Sequence, residues 1–514
     1  MNENINNAPD NSAEQNNNTT PNPYVQQNAG TPPFPPSPYP AFNPETEEQK
    51  VERARLFTQL FIPTIVYALL FTFCIYDNYS GITMPLLSLA TVIYSFYCIK
   101  TYKIQLKSGS CLYGAMIILL GISSFTTGNG WIISLNLLGI ALMLLCMLLH
   151  NFYDDNNWNL AKYIGAIFAS IFGALSEFCS PFKDLSNYEK HKPSKSKGLY
   201  VAIGIGISIP LLIVIVSLLS CADAVFACII GSFFVNINFS NIIGVTFTFA
   251  FAFMAAYCGI RYLGKHQLDD AIKENQRYDA IIAITVLSLI SVVYLFFSVI
   301  QIVYLFIGNM QLPEGYPTYA SYAHEGFYQL LFVCILNVII VLFTMSYFNN
   351  NKFVKILLTV ISLCTYIMIA SSALRMWLYV KMYSLTVLRV FVFWTLMVLA
   401  ILLAGILIQI YKDDFHMFRY GLVVVCACYL VLSFSHMDYW IAKFNLGYVA
   451  VNDGDVDYDY LDTLSSDAAP AIIGESGEWV NWYGDRQCYY KYDGIRGFNV
   501  SHYIAYKTFS SENE

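Results

Sequence analysis

Leu388–Tyr411 reads LRVFVFWTLMVLAILLAGILIQIY, twenty-four residues with a single charge, at the second position. A helix rises 1.5 Å per residue, so about 20 apolar residues cross the hydrocarbon core of a bilayer, and this run is long enough to do so by itself. Ten further runs are of the same kind, at 56–76, 82–99, 111–127, 131–150, 199–219, 241–260, 280–307, 327–348, 353–374 and 420–437. The composition agrees: 56% of the 514 residues are hydrophobic and 12% charged, a balance that a soluble domain could not keep from aggregating. The fold class expected is an all-α polytopic membrane protein with about eleven transmembrane helices. A disordered tail at 1–43 precedes the transmembrane domain at 44–437, and an acidic, mainly helical extramembrane region at 438–514 follows it.

The connections sort by charge. Basic residues fall at Lys50, Arg53 and Arg55, at Lys100, Lys103 and Lys107, from Lys183 to Lys197, from Arg261 to Arg277, at Lys352 and Lys355, and at Lys412 and Arg419. The connections between these are free of Lys and Arg, with one exception. By the positive-inside rule the N-terminus is cytoplasmic and the C-terminal region lies outside. Residues 160–179 are apolar enough for a twelfth span, but crossing there would carry the lysine-rich loop outside and invert everything after it. That segment is therefore expected to lie in plane or to re-enter, with Gly165, Ala169 and Gly173 as a packing seam of small residues. In the one exceptional connection Arg375, Lys381 and Arg389 fall on the outer side, either snorkelling to the headgroups or forming a paired cluster. Pro63, Pro85 and Pro210 inside spans read as kinks, and Gly204, Gly206 and Pro210 mark the 199–219 helix as the one to break.

Residues 1–43 are rich in Asn, Gln, Pro and Thr and cannot bury enough apolar surface to offset their chain entropy. The run from Pro32 to Pro40 favours polyproline II, either as a solvated tether or as a ligand for an aromatic groove on a protein partner. Order is expected from Asn43, which can cap a helix with Pro44 at its first position. Thirteen cysteines, nearly all within spans, offer no disulfide framework, and seven histidines show no ligand spacing. No cofactor, metal ion or nucleic acid is expected; the bilayer is the obligatory partner. The acidic C-terminal region would offer a second surface to proteins. Its run from Asn452 to Asp459 is calcium-like in composition, but Tyr458 and Leu464 stand where a helix-loop-helix site needs Gly and a carboxylate. Asp457 to Ile472 reads as a short helix, and Asn499 or Ser501 as the cap of a last one.

Several segments carry a resemblance: Tyr322-Ala323-His324-Glu325-Gly326-Phe327, Arg375-Met376-Trp377-Leu378-Tyr379, Leu385-Thr386-Val387-Leu388-Arg389, Asp457 to Ala471 (DYDYLDTLSSDAAPA), Arg496-Gly497-Phe498-Asn499 and Ala222-Asp223-Ala224-Val225-Phe226. Together they resemble the bacterial multi-pass membrane proteins of the domain-of-unknown-function families four-one-five-three and four-one-seven-three, over roughly residues 55–510. Three positions depart from that pattern: His324 stands where Arg is expected, Ser384 where Gly precedes Leu-Thr, and Gly497 where Ser follows Arg. The resemblance implies a bacterial plasma-membrane protein and brings no activity with it.

Polar residues near the ends of apolar helices are the candidates for function. Glu325 precedes one span, Arg375 ends the next and Arg389 begins the one after, so the three, with His324 beside them, can meet at the outer boundary as an ion-paired network or an anion site. Asp223, Asp438 and Asp467 are further polar candidates. Mid-span positions are chiefly Leu, Ile, Val, Phe and Ala with isolated polar side chains such as Asn337, which weighs against transport. An enzyme would have to draw on His324, Glu325 and Tyr328, and no catalytic residue is singled out. A scaffold, sensor or regulatory component needs neither a pore nor a catalytic centre and leads the three classes.

Overall fold

The chain enters its first helix through a capping box: Thr46 N–H donates to Gln49 Oε1 at 3.1 Å, and Gln49 N–H to Thr46 Oγ1 at 3.4 Å. The cap is therefore Thr46; Asn43 lies outside the described residues. The computed structural model describes residues 46–155, 158, 160–191, parts of 204–226, 239–265, 278–303, 319–349, 351–412, 415–449, 456–488 and 494–510. Helix α1 spans Glu47–Ile75 and contains Pro63. The ring removes one amide from the ladder, and the carbonyl left over, on Gln59, accepts from the Tyr97 hydroxyl at 2.9 Å. Tyr97 belongs to α2, Thr83–Thr101, where Pro85 sits in the first turn. No ladder bond is lost there, so Pro85 does not act as the kink expected of it. Pro210 lies outside the described residues.

Helices α3 (Ser110–Thr126) and α4 (Gly130–Phe152) pack against α2. Then come α5 (Leu160–Ser176), α6 (Ser180–His191), α7 (Phe239–Gly264), α8 (Ala280–Gln301), α9 (Tyr319–Tyr347), α10 (Lys352–Tyr383), α11 (Val387–Tyr411) and α12 (Met417–Ser433). Of these, α1, α2, α4, α7, α8, α9, α10 and α11 are long and apolar enough to cross a bilayer. The 17-residue α3 is a shorter apolar helix packed between α2 and α4, and α12 is followed by α13 (Met437–Phe444), the two bent by 60°. The expected span at 199–219 falls largely outside the described residues. Leu69, Ile93, Phe247, Phe296, Phe332 and Val431 are each more than half exposed, an apolar belt suited to lipid rather than water. The described residues hold no β-sheet.

Call the face where α1 begins the near face and its opposite the far face. The described basic residues of those connections, among them Arg53, Lys107, Arg261 and Lys355, lie on the near face. There α5 and α6, bent by 55° against each other, resolve the ambiguous segment. Tyr163 stacks on Phe418 at 3.5 Å, Cys258 Sγ donates to the Glu177 carbonyl at 3.3 Å, and Tyr188 meets Phe57 at 5.6 Å. All these partners belong to the near end of the bundle, so α5 and α6 lie against one face instead of joining the two. The packing stripe on α5 is Tyr163, Ala166 and Ser170, with Gly173 against the Tyr262 ring; Gly165 has nothing near it. Only the Gly173 end of the expected seam is used, while Ile164, Phe168 and Phe172 point outward.

The helices form two groups. One core joins α1, α2, α4, α5 and α7 around Phe57, Leu149, Tyr163 and Tyr257; the other joins α8 to α11 around Leu287, Cys334, Ile361 and Leu403. Helix α12 packs on α11 and also on α3, bridging them. On the far face α13 is followed by α14 (Tyr458–Asp462), a 3₁₀ turn at Ser466–Ala468, α15 (Ala469–Ile472), α16 (Glu478–Cys488) and α17 (Val500–Ser510). The single helix expected over 457–472 is thus interrupted, because Ser465 turns its side chain to accept from Asp467 N–H at 3.3 Å and caps a new start.

The α10–α11 turn contains a strained position. Ser384 has φ +68° and ψ 162°, a region that glycine alone occupies without cost, and it stands where the family resemblance expects glycine. Ser384→Gly should stabilise the protein by about 1 kcal/mol, seen as a higher unfolding midpoint in detergent. A lower midpoint would mean that the hydroxyl contributes more than the strain costs.

Candidate functional site

Two of the polar candidates come together on the far face. The three-residue turn Thr127-Gly128-Asn129 between α3 and α4 is gripped by two carboxylates from the C-terminal region. Asp467 accepts from the Thr127 hydroxyl and, at 2.9 Å, from Gly128 N–H; Asp438 Oδ2 accepts from Asn129 Nδ2 at 2.9 Å and from Ser465 N–H at 3.0 Å. Asn129 Oδ1 in turn caps α4 by accepting from Trp131 and Ile132 N–H. Gly128 is required because a Cβ there would overlap the Ser466 hydroxyl, which bonds to the Ser501 hydroxyl at 2.8 Å. Both carboxylates are buried, and sequence patterning gave no sign that they share one turn.

Asn499, 1% exposed, completes the arrangement. Its amide nitrogen donates to the carbonyls of Ser80 at 2.8 Å, Thr127 at 2.9 Å and Ser124 at 3.3 Å, while its oxygen caps α17 by accepting from Ser501 N–H at 2.9 Å. Arg496 reaches the Tyr76 carbonyl, and its own carbonyl accepts from Asn78 Nδ2 at 3.1 Å. The resemblance segments Leu464 to Ala471 and Arg496 to Asn499 therefore fasten the C-terminal region to the far ends of α1 to α4. On the other helix group, Asn445 bonds both backbone groups of Leu385, and Tyr460 accepts from Val387 N–H at 2.8 Å.

His436 adds a titratable latch. It sits between α12 and α13 at φ +48°, a left-handed conformation that His tolerates better than most residues, with Nδ1 3.5 Å from Asp467 Oδ1. Burial pushes the Asp467 carboxyl up, but the bonds from His436, Ser501, Thr127 and Gly128 overcome it and hold the group below the usual carboxylate range. The bond to Asp467 raises His436 above the usual imidazole value, against the opposing effect of burial.

Of the Glu325 cluster, Arg375 and Arg389 are among the described side chains. His324 and Glu325 are in the first turns of α9, and their side chains lie outside the described residues. Arg375 is 6% exposed and donates to Gln301 Oε1 at 3.3 Å, an amide that also accepts from the Ser371 hydroxyl at 2.6 Å. It lies within 2.5 Å of where a Cβ on Gly326 would stand, next to Glu325 in sequence. Arg389 donates to the carbonyls of Tyr383 and Ser384 and places its guanidinium 4.4 Å from the Tyr379 ring centre. Beside it lies a pocket of about 210 Å³ lined by Tyr328, Tyr379, Thr386 and Arg389. Asp223 is exposed and accepts from the N–H groups of Val225 and Phe226, which is a local cap.

A carboxylate held between two guanidinium groups does exist, on the near face. Asp184 is fully buried, 2.8 Å from Arg53 Nε and 3.0 Å from Arg261 Nε, and accepts from the Tyr257 hydroxyl at 2.8 Å. Near it Asp155 meets His150 Nδ1 at 2.7 Å and the Tyr163 hydroxyl, with Lys107 at 3.8 Å. In the sequence Arg53, Arg261 and Lys107 read only as topological charges. Their partners are Asp184 in α6 and Asp155 in the loop after α4, and no periodic signal connects them.

Apolar helices of bilayer length, with polar networks fastening their ends, define an integral membrane protein of the polytopic α-helical class. A family model described as Domain of unknown function (DUF4153) matches residues 114–474, and the chain belongs to that family. The match runs from α3 to just past α15 and includes Asp438 and Asp467; Asn499 lies beyond it. No curated protein and no solved structure matches the chain.

Two outcomes are expected of the far-face network. Asn499→Ala leaves buried carbonyls without a donor and uncaps α17, a loss of about 3 kcal/mol, measured as lost hydrogen-exchange protection over 457–510. The latch responds to pH with two limbs. The Asp467 contribution is present above the usual carboxylate pKa and disappears as pH falls through the lowered value. The His436 contribution is present below the usual imidazole pKa and disappears as pH rises through the raised value. Thiol reactivity of Cys488, divided at each pH by that of the same cysteine in the unfolded chain to remove the thiol's own titration, should be lowest between roughly pH 4 and 6.5, with His436→Gln removing only the alkaline limb. A flat profile would contradict the latch.

Proposed function

We propose that this protein is a scaffold or sensor of the bacterial cell envelope, with its N-terminus in the cytoplasm and its C-terminal region outside, coupling contacts on one side of the plasma membrane to contacts on the other. The observation that carries this reading is the clamp of Asp438, Asp467 and Asn499 on the α1–α2 and α3–α4 turns, which makes the far region move with the helix ends. That region presents Trp482, Ile495 and Tyr503, each more than half exposed, as a contact surface for a protein partner. The tail at 1–43 would be its cytoplasmic counterpart. Intramembrane polar groups close on one another in support of the same reading. Asn136 bonds Ser124, Tyr429 and Ser433, and Asn337 bonds Tyr294 and Thr365.

Transport is the second reading, and one observation favours it. Among the described residues the buried hydroxyls of Ser291 and Ser298 on α8 and of Ser362 and Ser372 on α10 have no hydrogen-bond partner, and the two helices pack together. A photo-crosslinking residue at Ile495 or Trp482 in intact cells separates the readings. The scaffold predicts one discrete protein adduct, shared by both positions and lost with Asn499→Ala. Solute passage through the purified chain in proteoliposomes, abolished by Ser298→Ala with Ser372→Ala, would replace the scaffold with a transporter.

A further inference from the structure

A cavity of about 620 Å³ opens on the near face, where α5, the ends of α9 and α11 and the start of α12 do not close on one another. Its size is that of a small-molecule or cofactor site. Among the described residues three buried polar atoms of its lining have no hydrogen-bond partner: the Trp158 indole nitrogen, Gln409 Oε1 and Asp155 Oδ1, the last 3.8 Å from the Lys107 ammonium. Trp158 is 6% exposed and its indole N–H has no hydrogen-bond partner among the described residues; Gln409 Oε1 is buried and equally unmatched. One is a donor and the other an acceptor, so an occupant that satisfies both must itself bring an acceptor and a donor.

The rest of the lining narrows the occupant. Ile164, Ile339 and Phe343 at the mouth are about half exposed and belong to the apolar belt, so the cavity opens sideways toward the bilayer. Arg419, in the first turn of α12, lines it at the level of the headgroups, and Lys162 stands 5.7 Å from the Trp158 ring centre. Of the acidic groups on this side, Asp155 is paired with His150 and Lys107, and Asp154, like Lys162 and Arg419, has partners of its own, so the cavity's cations meet a phosphate in addition to existing contacts; Asp413 and Asp414 lie outside the described residues. We infer that this cavity binds an anionic glycerophospholipid with a hydroxylated headgroup from the near leaflet. One acyl chain enters past Ile339 and Phe343, the phosphate faces Arg419 and Lys162, an ester or phosphate oxygen accepts from Trp158 N–H, and a headgroup hydroxyl donates to Gln409. The inference is independent of the scaffold reading, since a scaffold, sensor or transporter can each hold such a lipid.

Tryptophan quenching by lipids with brominated acyl chains tests it on the full chain in nanodiscs. The Trp158 signal is the difference between wild type and Trp158→Phe. At low mole fraction in unlabelled phosphatidylcholine, brominated phosphatidylglycerol should quench that signal about ten-fold more effectively than brominated phosphatidylcholine, a difference of about 1.4 kcal/mol. Arg419→Gln should reduce the preference several-fold, and Ser346→Phe, which fills the cavity, should remove the quenching while the protein remains monodisperse. Equal quenching by the two lipids, or none that Trp158→Phe removes, overturns the inference. Relief of quenching by soluble glycerol phosphate also overturns it, by assigning the site to a soluble phosphate.

Discussion

A carboxylate buried without a full counter-charge persists only where donors converge on it, and Asp467 meets that condition by gripping the turn between α3 and α4. Much follows from this contact. It fixes the 3₁₀ turn that divides the C-terminal region, it brings Ser466 against Gly128 so that only glycine fits there, and it holds His436 in a left-handed backbone. Asp438 and Asn499 extend the grip to the caps of α4 and α17. The far region therefore has little need of a large core of its own. Its apolar cluster is shared with Ile132 of α4 and Trp394 of α11, and the polar bonds set the register in which the two surfaces meet.

Within the bilayer the same accounting takes another form. Without water, polar groups depend on partners inside the protein, and the helices supply many of these as small clasps such as Asn136 with Ser433 and Asn337 with Thr365, leaving the four serine hydroxyls of α8 and α10 as exceptions among the described residues. The freed carbonyl of Gln59 is met by Tyr97 in the same spirit, so Pro63 is tolerated in a spanning helix. At the near boundary the clasps become ionic. Asp184 between Arg53 and Arg261 ties α1, α6 and α7 together, and breaking such a pair by removing one partner leaves a buried charge that costs about 3–5 kcal/mol.

Architecture was far more legible than the sites. Apolar run length gives the spanning helices directly, and the distribution of lysine and arginine argues against a crossing at 160–179, where α5 and α6 form a pair bent by 55°; both signals are one-dimensional consequences of the bilayer. Asp438 and Asp467 were noticed as costly residues, but their common partner, the Thr127-Gly128-Asn129 turn, lies more than 300 positions away and no pattern in a single chain connects them. Asn499 was legible as a helix cap and not as a tie to three carbonyls, since capping is local and docking is not. A carboxylate between two guanidinium groups is present at Asp184 of α6, in a lysine-rich stretch whose charges read only as topology, while the Glu325 side chain lies outside the described residues. Thr46-Glu47-Glu48-Gln49 has the spacing of a capping box, and that is the cap the described residues show.

Because α5 and α6 leave from the near face and return to it, they add nothing to the parity of the chain's crossings. A spanning helix cannot be gained or lost singly without turning over everything downstream, so those helices are locked to one another by insertion itself. The 160–191 segment escapes that lock. It can be lengthened, exchanged or removed while every later loop keeps its side of the membrane, which makes it the part of the membrane domain where variation meets the least topological resistance, and it forms one wall of the near-face cavity.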